Sequence, residues 1–148
     1  MKVSIEKINK WQDEQIIIQC HKVTDEVNSI VGFIRMAEGA LLGYCDESII
    51  QLSLHDIFYI EAVENRVFAY TESQVFELKT KLYEFESAYA QYRFFRCSKS
   101  MVVNLMKIDS VNPMINSRLS AKLFNGEEII ISRQYVPELK QVLTGGMQ

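Results

Sequence analysis

The chain is poor in backbone breakers, with two prolines and six glycines in 148 residues. That leaves little room for a flexible linker. Cysteine is scarce and odd in number: Cys20, Cys45 and Cys97 are too widely spaced to make a disulfide framework, so a reducing compartment is expected. His21 and His55 are the two histidines, and nothing spaces them as metal ligands. No apolar run reaches the roughly 18 residues of a bilayer-spanning helix. Residues 1–10 interleave charged and apolar side chains and lack a signal-peptide core, which predicts a cytoplasmic protein. Nucleophile elbow, P-loop and dinucleotide fingerprint are all missing, and the carboxylates form no recognisable catalytic pair, so an enzyme is not expected. Cofactors and metals are not expected either.

A surplus of positive charge is also missing. Sixteen Lys and Arg face nineteen Asp and Glu, giving a formal net charge of −3, and that sum alone argues against a polyanionic partner. The distribution says otherwise. Between residues 93 and 122 the cations are Arg93, Arg96, Lys99, Lys107, Arg118 and Lys122, with Asp109 the one anion. The acids lie mostly upstream, around residues 61–64 and 84–86.

Periodicity predicts a β-dominant α+β chain. Residues 15–20 are a β-branched run, read as a strand. A helix is expected over residues 22–36, because Val27, Ile30, Val31 and Ile34 share one helical face. Thr24 or Asp25 supplies its N-cap and Gly39 its stop. That face needs burial, either against the rest of the chain or against a second chain. Strand-like runs follow at residues 41–44, 48–53, 57–62, 67–71 and 73–78, with a turn at Glu64-Asn65-Arg66. Residues 79–90 read as a helix, 94–97 as a strand, and 99–105 as a short helix or extended turn. A strand over residues 108–113 precedes a hairpin closed by Asn125-Gly126, whose strands span residues 117–124 and 127–132. A last short helix over residues 133–143 is halted by Gly145-Gly146. The division expected is a strand-helix extension over residues 1–40 and a β-rich domain over residues 41–148.

Two C-terminal stretches carry more than periodicity. Phe94-Phe95-Arg96-Cys97-Ser98-Lys99-Ser100-Met101-Val102-Val103-Asn104 runs on to Lys107-Ile108. Together with Asn125-Gly126, the strand ending at Ser132, Arg133-Gln134 and the closing helix, it resembles the LytTR family of DNA-binding domains. A weaker third match is Tyr59-Ile60-Glu61-Ala62 followed by Asn65-Arg66-Val67. The three stand in the family's order over roughly residues 42–144. The resemblance implies an elongated β-sheet domain of about ten strands with short helices. Its loops would enter the grooves of double-stranded DNA at short direct repeats, and the chain would be a standalone bacterial transcription regulator without a receiver domain; a homodimer is a further expectation, from the unburied apolar face of the N-terminal helix.

The resemblance assigns DNA contacts residue by residue. Arg133 matches the base-reading Arg after the last strand, where a guanidinium donates two parallel bonds to guanine. Gln134 lies beside it. Lys99 and Ser100 match the central triplet, for base edge or phosphate; Ser98 replaces the usual His, which weakens readout there. Asn65 and Arg66 lie in a second groove-entering loop, with Arg66 where Tyr or His is common. Arg118 suits a phosphate. Asn104 suits a structural role, bonding backbone groups at a helix end. Cys97 beside Arg96 and Lys99 has two readings, an inert buried thiol or an activated, oxidisable one. The competing functional class is a protein-interaction or ligand-responsive module that keeps the fold without specific DNA binding.

Overall fold

A computed structural model describes residues 1–38 and 40–145. Gly39 and Gly146, expected as helix stops, lie outside the described residues. The first helix, α1 (Asp25–Glu38), starts where Thr24 caps it: the Thr24 hydroxyl accepts the Val27 N–H at 3.3 Å and its carbonyl accepts Asn28 N–H at 2.9 Å. Ten strands and two further helices follow. They are β1 (Ala40–Cys45), β2 (Ser48–Ser53), β3 (Tyr59–Val63), β4 (Arg66–Tyr70), β5 (Val75–Leu78), α2 (Leu82–Tyr89), β6 (Phe94–Ser98), β7 (Met101–Asn104), β8 (Ile108–Pro113), β9 (Leu119–Leu123), β10 (Glu128–Ile131) and α3 (Val136–Leu143). The β-dominant α+β reading holds, as does the strand number.

The strands form two antiparallel sheets. One has seven strands in the order β2-β1-β5-β4-β3-β7-β6, and the other three in the order β10-β9-β8. Period-2 alternation gives the large sheet two apolar faces with different covers. Ile60, Val67, Ala69, Phe76, Leu78 and Val102 pack with Leu82 and Phe85 of α2 and with Phe94 in one core. The opposite face supplies Tyr59 and Val103 to a second core, closed by Leu119, Ala121, Leu123, Ile129 and Ile131 of the small sheet and Leu139 of α3. At about 1.5–3 kcal/mol per fully buried large apolar side chain, this second layer holds the sheets together.

Three expectations need correction. Residues 15–20 form no strand and pair with no strand among the described residues, so their β propensity goes unused. Within residues 99–105, Lys99 and Ser100 do form a turn, but Met101–Asn104 supply β7, which sits between β3 and β6, and Leu105 opens a 3₁₀ turn, so tertiary pairing overrides the helical reading over the middle of the segment. The final helix begins later than residue 133, because Arg133–Tyr135 form a tight 3₁₀ turn and α3 starts at Val136. The hairpin at Asn125-Gly126 also differs in detail. Gly126 alone takes the left-handed conformation, φ +90°, with its N–H bonded to Leu123 O at 2.9 Å, so the loop is a three-residue type rather than a two-residue one.

The apolar face of α1 is partly covered within the chain, with Val27 buried and Ile30, Val31 and Ile34 half-buried. The helix packs on the Leu54–Asp56 and Ala90–Tyr92 turns, and Phe33 meets the His55 ring edge-on at 5.2 Å. Gly32 permits this approach, since a Cβ there would lie 2.8 Å from the Tyr92 ring.

Asn104 ties the two cores. It is 2% exposed, its amide donates to Ile57 O at 2.9 Å, and its oxygen accepts Met106 N–H at 3.0 Å. Asn104→Ala strands both backbone groups, so urea denaturation should show a loss of about 1–3 kcal/mol.

Candidate nucleic-acid interface

The register shows which turns meet. Tyr44, Glu77, Phe68, Glu61 and Met101 lie in one row across the large sheet. Beyond that row, at one end of the sheet, come the β3–β4 turn with Asn65 and the β6–β7 turn with Lys99. The small sheet adds two segments at the same end. Leu119 pairs with both Pro113 and Ile131, so Arg118 and the exit of β10 lie side by side. The sheets are spliced here by one backbone bond, Ser132 N–H to Cys97 O at 2.9 Å. The result is an open cleft lined by Ser98, Lys99, Ser100, Ser132, Arg133 and Gln134. Side chains more than thirty positions apart in sequence thus share one surface.

Each candidate is held differently. Lys99, Ser100, Arg133 and Gln134 are exposed. Among the described residues, neither Lys99 nor Arg133 has a carboxylate within salt-bridge distance. Arg133 stands in the first turn leading into α3, where free N–H groups favour anions and oppose an intrahelical cation. Its guanidinium therefore gains nothing from its own helix. Arg118 is partly buried and reaches Ile115 O across a turn in which Asn116 and Ser117 are left-handed.

The β3–β4 turn is a two-residue hairpin with both Glu64 and Asn65 at positive φ, 50° and 66°. That is the geometry strand twist prefers, and Asn tolerates it well. Asn65 thus has a backbone role beside any contact it makes. Arg66 is already engaged. Its Nε and Nη2 donate to the two Glu77 carboxylate oxygens at 3.2 and 2.8 Å, and it lies 5.1 Å from the Phe68 ring centre. The Arg66 guanidinium beside it holds the Glu77 carboxyl below its ordinary pKa. This pairing removes most of the free charge of Arg66.

Arg96 was grouped by sequence with the surface cations, and the structure gives it another task. Its Nε donates to Ser98 O at 2.6 Å, its Nη2 to Lys99 O, and its Nη1 to Glu86 of α2 at 3.0 Å. Charge-assisted bonds of this kind are short and strong. One guanidinium thereby braces the turn that presents Lys99 and Ser100. The signal in the sequence was weak: the side chain alternates with buried Phe95 and Cys97, which marks it as facing away from them.

The basic run of residues 93–122 does not form one patch. Lys99 and Arg118 lie at the cleft end. Arg93 and Lys107 lie at the other, where Leu105 N–H bonds Arg93 O and Phe124 N–H bonds Lys107 O. Lys107 stands 5.0 Å from the Phe58 ring. That end is closed by Tyr59, whose hydroxyl donates to Glu127 at 2.8 Å and which stacks on Tyr70 at 4.4 Å. Burial and the Glu127 carboxylate both raise the Tyr59 pKa, keeping the phenol a donor.

Comparison with known proteins decides the family. Residues 47–144 match the LytTr DNA-binding domain model. The chain belongs to the LytTR family. Over 134 residues it is 35% identical to the Escherichia coli K12 transcriptional regulatory protein YpdB, covering 90% of this chain and 51% of that protein, so it spans about half of this relative's length. A Staphylococcus aureus HTH-type transcriptional regulator is 30% identical over 146 residues, which is 97% of this LytTR chain and 99% of that one. The fold matches a solved LytTr DNA-binding domain from a Bacillus cereus protein described as a methyl-accepting/DNA response regulator. The TM-score is 0.67 at 24% identity, over 70% of this chain and 95% of that one. No described helix is long and apolar enough to cross a membrane.

Cys97 is the inert alternative. It is fully buried, its Sγ donates to Met101 O at 3.5 Å, and burial pushes the thiol up to about 12, outweighing the Arg96 charge. The activated reading loses its basis because burial raises the thiol more than the Arg96 charge lowers it. With a thiol-reactive dye near neutral pH, the folded protein should label at exposed Cys20, while Cys97 reacts only after unfolding.

Proposed function

We propose that this chain is a sequence-specific DNA-binding transcription regulator that acts in the cytoplasm, with the cleft end of its sheets as the DNA-facing surface. The observation that carries the reading is the convergence of Lys99 and Ser100 with Arg133 and Gln134 in one open cleft. Exposed cations without carboxylate partners suit phosphates and guanine edges, and flanking hydroxyl and amide groups suit both. Arg133 is the base reader, Lys99 and Ser100 contact base edge or phosphate, and Gln134 adds an amide. Asn65 and Arg66 touch a neighbouring groove segment from the β3–β4 turn, and Arg118 takes a phosphate. The targets are short direct repeats in double-stranded DNA. Residues 1–40 act as an extension to the DNA-binding domain of residues 41–148.

The net charge of −3 and the Arg66–Glu77 pair favour a second reading, a partner- or ligand-binding module on the same fold. Salt separates the two. Selection of duplexes from a random pool should return one short motif. Arg133→Ala should relax that motif at one position at a cost of about 1–3 kcal/mol. Lys99→Ala should weaken all sequences alike and lower the slope of log affinity against log salt by about 1. If the folded protein selects no motif, and its binding is indifferent to salt, the module reading replaces the regulator.

A further inference from the structure

Residues 1–24 stand outside both cores and leave Val3, Ile5, Ile8, Trp11, Ile16 and Ile17 exposed. Ile16-Ile17-Ile18 is a run of strand formers with no strand beside it. The large sheet has the matching deficiency. β2 is its outermost strand and is bonded only to β1, so one row of its N–H and C=O groups is unpaired. Natural edges are usually blunted by Lys, Pro or a bulge. Ser48-Ile49-Ile50-Gln51-Leu52-Ser53 has no Lys or Pro, pairs with β1 without a register shift, and leaves Ile49 64% exposed.

We propose that residues 15–20 of one copy of this chain add, antiparallel, to the β2 edge of a second copy, each chain giving and receiving one strand. Charge selects the direction. With Gln15 opposite Ser53 and Cys20 opposite Ser48, Lys22 falls beside Asp46 and Glu47. A parallel alignment would stack Asp13 and Glu14 there instead, at a like-charge cost. Alternation selects the register. Ile16 and Ile18 then face the same side as Leu52 and Ile50, which belong to or pack on the first core, while Ile17 faces out with Gln51. A slip of one residue would reverse every side chain. The partner is a second copy because within one chain the halves do not meet: Ile16 and Ile17 remain 68% and 67% exposed. Each chain brings residues 15–20 and residues 48–53 to the two seams, fewer than the roughly 20–30 residues per side of a standard interface, so the dimer is expected to be weak and concentration-dependent. The receiving edge is opposite β6, so arm exchange leaves the Lys99–Arg133 cleft open in both copies. The proposal does not rest on DNA binding.

Sedimentation equilibrium of the full chain under reducing conditions tests the exchange. The wild type should form dimers. The Ile16→Lys/Ile18→Lys variant, altered only in the arm, should be monomeric, with a melting curve that matches the wild type's at concentrations where the wild type is itself monomeric. Separately, Ser48→Cys should form a disulfide to Cys20 of another chain under mild oxidation, since opposed Cα atoms in an antiparallel pair lie about 4.5–5.5 Å apart. The product should migrate at twice the chain mass and vanish with Cys20→Ser. A wild type monomeric at its highest attainable concentration overturns the proposal. So does a dimer that survives in the arm variant, or a disulfide that closes within one chain.

Discussion

The apolar layer between the two sheets is what the rest of the molecule depends on. Tyr59, Phe95, Cys97 and Val103 from the large sheet meet Leu119, Ala121, Leu123, Ile129 and Ile131 from the small one. The backbone bond from Ser132 to Cys97 sits at the rim of this layer. A single net hydrogen bond is worth only about 1 kcal/mol, far less than the summed burial of those side chains. The bond therefore does not hold the sheets together; it sets their alignment. That alignment brings the exit of β10 to the β6–β7 turn, and hence Arg133 to Lys99. Substitutions deep in the second core would disturb the cleft without touching it.

Electrostatics at the cleft end follow from how each cation is used. Arg96 is consumed by turn carbonyls and Glu86, and Arg66 by Glu77. At the cleft end Lys99, Arg118 and Arg133 have no carboxylate partner among the described residues, on an otherwise acidic chain. This explains how a net charge of −3 coexists with a polyanion-compatible surface: charges farther apart than the ~8–10 Å screening length contribute little to each other's field. Local arrangement decides, and the acidic turn at Asp46–Glu47 belongs to the far edge of the large sheet.

Strand existence was widely legible in the sequence because period-2 alternation and turn residues are local signals. The β3–β4 hairpin and the Thr24 cap could be read that way. The failures share one cause. Residues 15–20 have the composition of a strand but pair with no strand of their own chain among the described residues. Residues 101–104 looked helical or loop-like, yet β3 and β6 flank them and force an extended backbone. Arg96 and Arg66 read as free cations because their acidic partners, Glu86 and Glu77, are ten and eleven residues away in sequence. Propensity is local, whereas pairing is not.

By itself the sequence determined the class of the molecule: β-dominant, with motifs in the order of the LytTR family. It did so because apolar period, turn chemistry and motif order are written along the chain. Only the tertiary structure decided which cations remain available, which cysteine is inert, and that two distant motifs form one surface. Those properties depend on burial and on contacts across the two sheets, and neither exists until the second core closes.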